Sequence, residues 1–159
     1  MTTWLARTKW FSRALLLFAS VLFLAIAAKN IADPAAAEGP QGIAFNSPAG
    51  VTIGRVGFGA FPLGFAVILM ACLISERRLL IGLRVLNTVA LLVTAVRLLG
   101  LALDGPADFT LKLLRPEIVL SVLSTAAVYL EGRRRARQRS DEDPGGFVRP
   151  LANQRSVSP

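Results

Sequence analysis

The chain has 159 residues, 53% of them hydrophobic and 18% charged, with a net charge of +8, one cysteine and no histidine. Without histidine there is no histidine-ligated haem, no common histidine zinc site and no Ser-His-Asp catalysis, and the lone Cys72 excludes an intramolecular disulfide. The apolar residues fall in uncharged blocks (14–28, 56–75, 85–96 and 118–130), each long enough with its flanks to cross a bilayer core of about 20 residues.

The first segment has a basic lead, Arg7, Lys9 and Arg13, with Trp4 and Trp10, followed by the apolar run from Ala14 to Ala28. Two readings compete. The run is a retained first span with Trp10 at the headgroup level. Alternatively it is a signal peptide cut after residue 27 or 37, at the A-x-A-like Ala25-Ile26-Ala27 or Ala35-Ala36-Ala37. Its length, counted from Phe11, exceeds that of a signal peptide's apolar core and favours retention. Residues 29–54 read as a loop rich in Ala, Gly and Pro, with turn signals at Asp33-Pro34, Gly39-Pro40 and Ser47-Pro48.

The second span is placed at about 55–75. It opens with Gly54, Gly57, Gly59 and Gly64, and Ala60 with Gly64 forms a small-xxx-small step suited to close helix approach. Pro62 bends this helix or marks its start. A nucleotide-binding loop is excluded: no strand precedes the glycines and no Lys-Ser/Thr follows them. Cys72 reads as a small apolar filler, since no charge in its segment activates a thiolate. After the charged turn Glu76-Arg77-Arg78, a third span covers about 79–103 and stops at Asp104-Gly105-Pro106. Residues 107–114 either continue into the last helix or lie at the interface. The fourth span covers about 113–131, with Pro116 at a first helical position and Glu117 in the first turn. Residues 133–159 read as a disordered basic cytoplasmic tail, basic first, then acidic, then rich in Pro, Gly and Ser. Its arginines at 133–139 are expected to anchor the chain at anionic headgroups.

The fold class expected is therefore an all-α membrane protein, an antiparallel four-transmembrane-helix bundle over residues 1–132. The positive-inside rule orients it. One side collects Arg7, Lys9, Arg13, Arg77, Arg78, Arg84, Arg133, Arg134, Arg135, Arg137 and Arg139, and the other Lys29, Arg55, Lys112 and Arg115. Both termini should face the cytoplasm. The excess of Arg over Lys and the abundance of Ala, Gly and Leu suggest a bacterial chain from a GC-rich genome, in the cytoplasmic (inner) membrane.

Charge within a span is costly and marks a candidate site. Arg84 is close enough to its helix end to snorkel. Arg97 lies about six residues, roughly 9 Å, from the outer end of its helix, and Glu117 starts the next helix at that edge. An ion pair between them is expected, joined by Asp104, seven residues after Arg97 on the same face, and by Arg55 from the second span. Glu117, Ser121 and Ser124 follow i, i+4, i+7 spacing, with Thr125 beside them, and form a polar stripe facing the bundle interior. The stripe serves interhelical packing alone, or it lines a ligand site.

Three pieces resemble a bacterial family known as domain of unknown function 4345, short membrane proteins with four predicted helices. Arg55 with Phe58-Gly59-Ala60 is similar to the family's arginine followed by Tyr-Gly-Gly. Arg97 followed by Asp104-Gly105-Pro106 is similar to its Arg…Asp-Gly stretch, and Glu117 to an acidic residue early in its fourth helix. The likeness covers roughly residues 10–132. Phe58 and Ala60 depart from the family pattern, and the loop at 29–54 is enlarged. The resemblance implies the four-helix architecture, no assigned activity, and the same cluster of Arg55, Arg97, Asp104 and Glu117.

The function expected is a non-enzymatic membrane module that binds a lipid, a quinone or a partner protein. Its surroundings are the lipid bilayer, a homo-oligomer or membrane partner is allowed, and no cofactor, metal or nucleic acid is expected. A subunit of a small oligomeric transporter or channel ranks second, because the charges lie toward the span ends and no inverted repeat is visible. A carboxylate-dependent membrane enzyme ranks last, since one carboxylate beside an arginine is poor grounds for catalysis.

Overall fold

The computed structural model describes the backbone of residues 2–142 and the side chains of residues 6–140. Among the described residues there are six α-helices: α1 (Thr2–Ala32), α2 (Pro34–Glu38), α3 (Pro48–Gly54), α4 (Phe61–Leu73), α5 (Glu76–Asp104) and α6 (Asp108–Glu142). A 3-10 turn, Gly39–Gln41, follows α2, and a π-helical segment, Arg55–Ala60, joins α3 to α4. No strand occurs among the described residues. Among the described residues, four helical stretches are long and apolar enough to cross a membrane: Ala6–Ala32, Pro48–Leu73, Glu76–Asp104 and Asp108–Ser140.

The four long helices share one narrow core. Leu15, Leu16 and Ala19 of α1 meet Leu69 of α4, Leu79, Leu83 and Leu86 of α5, and Ala127 of α6. Phe23 packs edge-on against Phe65 at a centroid distance of 4.8 Å. Around this core the outward faces are apolar too, with Phe18, Phe61, Ile74, Val96 and Leu103 all exposed. Helices that are apolar on every face need either a protein shell or a lipid one. At Gly82 the helices approach closely: a Cβ there would lie 2.7 Å from Cβ of Cys72 and 3.1 Å from Cδ1 of Leu16.

Three expectations from the sequence are corrected. The stretch 29–54 is not a plain loop, because two of its turn signals start helices. Asp33 caps α2, accepting from the backbone N–H groups of Ala35 and Ala36 at 3.1 Å, and Ser47 caps α3, accepting from Gly50 at 3.1 Å. Pro34 and Pro48 follow at first-turn positions, where a missing N–H costs nothing. Pro116 does not open the last helix. It lies inside α6, which starts two turns earlier at Asp108 and takes in residues 107–114 from its second residue on. Nor is the chain disordered from residue 133: α6 runs on to Glu142. Arginine, alanine and glutamine favour helix, Glu131 pairs with Arg134 and Arg135 one turn on, and no proline intervenes before Pro144. The remainder of the expected tail, 143–159, lies outside the described residues.

The π segment explains the glycines ahead of Pro62. Gly54 and Gly59 are both buried, five residues apart, a spacing that an α-helix would turn to different faces. In the π segment, where Phe61 N–H bonds to the Val56 carbonyl five residues back, the two share a face. Gly54 packs under the ring of Phe45, and Gly59 against Ile31. Pro62 then sits in the first turn of α4.

Candidate functional site

The α5–α6 turn lets the two helices run beside each other, and polar pairs link them in order. Moving from the turn inward, Arg97 meets Glu117, Thr94 meets Ser121, and Asn87 meets Ser124 and Thr125. Numbers fall along α5 as they rise along α6. Arg97 donates from Nε to one Glu117 oxygen and from Nη2 to the other, each at 2.6 Å. This two-point fork is the strongest geometry that an arginine and a carboxylate can adopt. Both side chains are largely buried, at 24% and 19% exposure. Thr94 and Ser121 hydroxyls lie 3.0 Å apart. The Asn87 side-chain oxygen accepts from Ser124 at 3.0 Å and from Thr125 at 2.8 Å.

Glu117 also forms part of a cavity wall. A cleft of about 380 Å³ between α1, α5 and α6 is lined by aliphatic and aromatic side chains, including Phe18, Leu22, Phe23, Val89 and Val93. Pro116 lines it beside Glu117. Proline has no N–H to give the carbonyl four residues back, that of Lys112, so α6 lacks that one helical bond.

Of the six residues expected to cluster, the structure brings together Arg97 and Glu117, and carries Ser121 and Ser124 on the same seam. It does not bring Arg55 or Asp104 there. Arg55 donates from Nε to the Ile31 carbonyl at 3.1 Å, because the last carbonyls of α1 lack helical partners. Asp104 is exposed at the end of α5 and makes no ion pair among the described residues. Seven residues set it about 10.5 Å along the axis from Arg97, whose guanidinium is already committed to Glu117. Cys72 is buried and free, in contact distance of Gly82, as a packing residue would be.

Two sets of residues escaped the sequence reading. Asn87 and Thr94 complete, with the expected Arg97, the α5 half of the seam; their spacing of seven and three residues puts them on one face and was a legible signal. At the other end of the helices, Glu131 is fully buried and holds Arg134 and Arg135. Lys9 pairs there with Glu76, and Arg13 approaches the same carboxylate at 4.0 Å. The i, i+3, i+4 spacing of Glu131, Arg134 and Arg135 is a helix signal, hidden by ending the span at Glu131.

No family model, no curated protein and no solved structure matches this chain.

Proposed function

We propose that this chain is a non-enzymatic module, embedded in the bacterial cytoplasmic membrane, that holds an amphiphilic molecule in the cleft of α1, α5 and α6. The observation carrying this reading is an apolar cavity of about 380 Å³ with one carboxylate, Glu117, fixed in its wall by Arg97. That volume lies within the range of small-molecule pockets, about 300–1,000 Å³. An ionised carboxylate only accepts hydrogen bonds and has about four lone-pair positions; Arg97 uses two. What remains suits a hydroxyl donor, so the ligand class is a lipid alcohol or a quinol-type head on an apolar body.

The membrane arrangement proposed is an antiparallel four-helix bundle with both termini cytoplasmic. The contacts support it. Lys9 near the start of α1, Glu76 at the start of α5 and Arg135 late in α6 meet at one end, where most Lys and Arg collect. Ile31 near the end of α1 meets Arg55 and Gly59 at the other. The resemblance to domain of unknown function 4345 agrees with this architecture.

Native mass spectrometry of the full chain in mild detergent tests the binding reading. A co-purified apolar molecule is expected, lost in Glu117→Gln, which removes the acceptor charge, and in Val89→Phe, which fills the cleft without touching Arg97 or Glu117. A wild-type protein free of any such molecule, after extraction from native membrane, overturns it.

A further inference from the structure

At the end of the helices away from the Arg97–Glu117 pair, a second cavity of about 210 Å³ is lined by Glu76, Arg77, Arg134, Arg135, Gln138 and Arg139. On α6 the positions 134, 135, 138 and 139 recur at one helical face, and the start of α5 closes the other side. The site is built rather than loosely basic. Glu131, fully buried beneath it, accepts from Arg134 at 2.9 and 2.7 Å and from Arg135 at 3.2 Å. Arg135 also donates to the backbone carbonyls of Glu76 and, at 3.4 Å, of Arg77, tying α6 to the α4–α5 turn. The one lining acid, Glu76, is taken up by Lys9, with Arg13 at 4.0 Å. Arg77 and Arg139 are exposed and make no ion pair among the described residues.

Four guanidinium groups and an amide thus wall one small cavity, and the two carboxylates beside it among the described residues, Glu76 and Glu131, already have cationic partners. Guanidinium groups donate only, in planar forks that match phosphoryl oxygens. We propose that this cavity is a phosphate-binding site, in which Arg77 and Arg139 grip the phosphoryl oxygens while Arg134 and Arg135, held by Glu131, shape the floor. Its position at the basic end of four membrane-length helices favours the phosphate of an anionic lipid headgroup; soluble inorganic phosphate has the same chemistry. The site is independent of the apolar cleft and of what fills it.

The test uses the full chain in phosphatidylcholine nanodiscs with and without phosphatidic acid, and separately with inorganic phosphate. Salt is held at about 0.3 M so that diffuse attraction is screened. Phosphatidic acid is expected to bind stoichiometrically by native mass spectrometry. Arg77→Gln with Arg139→Gln should weaken it at least about tenfold, the loss of one or two charge-assisted hydrogen bonds. Arg78→Gln with Arg133→Gln removes the same charge from exposed positions outside the cavity and should change binding by no more than about twofold. Equal losses in the two double variants, or no loss in the first, overturn the proposal. Thermal protection by inorganic phosphate, abolished by Arg77→Gln with Arg139→Gln, assigns the site to soluble phosphate. Protection by phosphatidic acid alone assigns it to lipid.

Discussion

An arginine at the centre of an apolar span costs at least about 2.5–3.5 kcal/mol, and a carboxylate has a comparable problem. Their fork in this structure offsets part of both costs, so the pair matters most when it is broken. Arg97→Ala or Glu117→Ala alone strands a buried charge and is expected to destabilise the protein by about 3–5 kcal/mol. The double variant should cost far less than the sum. A thermal-stability cycle in detergent checks this, and full additivity would falsify the coupling. The pairing itself was readable, because Arg97 and Glu117 approach one turn from opposite sides. Arg55 and Asp104 carried the same residue-type signal and go elsewhere, one to a backbone carbonyl and one to an exposed helix end. Charge and depth do not reveal which acceptor lies nearest.

Between α5 and α6 the neutral rungs act differently from the ionic one. Hydrogen bonds between membrane helices average about 0.6 kcal/mol, with a maximum near 1.7. Asn87→Leu, which loses the acceptor shared by Ser124 and Thr125, should therefore cost about 1 kcal/mol and leave the helices paired. Unfolding followed by far-ultraviolet circular dichroism checks it, and a cost equal to that of Arg97→Ala would show that the seam acts as one unit. Close approach is the other constraint on the elements. Gly82→Ala places a methyl against Cys72 and Leu16 and should cost about 1–3 kcal/mol through overpacking. Gly100→Ala, whose nearest neighbour would be an Asp104 oxygen at 3.8 Å, serves as the control and should be neutral or mildly stabilising. Long elements were legible from apolar runs, whereas their ends were not. Asp33-Pro34 and Ser47-Pro48 have the composition of both a turn and a helix start, and only the chain that follows decides between them. The extension of α6 past Gly132 depends on ion pairs that form only if the helix is already there.

For the whole molecule, four apolar helices surround a core narrower than their combined surface, and the proposed membrane setting rests on that excess. Topology reporters inserted at residue 45 and at residue 108 are both expected to read periplasmic; a cytoplasmic reading at either would refute the four-span arrangement. The presence of four long apolar helices was the most legible feature, since it rests on block length alone. The clefts were the least legible, because each is assembled from two or three helices whose rotation the apolar pattern leaves open. One local irregularity gives the molecule an unusual tolerance. Phe61 N–H reaches the Val56 carbonyl across one residue more than an α-turn contains. Deleting Gly57 would shorten that ring to an ordinary α-turn while the segments on either side keep their facing. The same deletion at Val67 would rotate everything beyond it and pull Leu69 and Cys72 out of register. The stretch Pro48–Leu73 therefore contains a spare link, a point where its length can change by one residue without unscrewing α3 from the helices that follow.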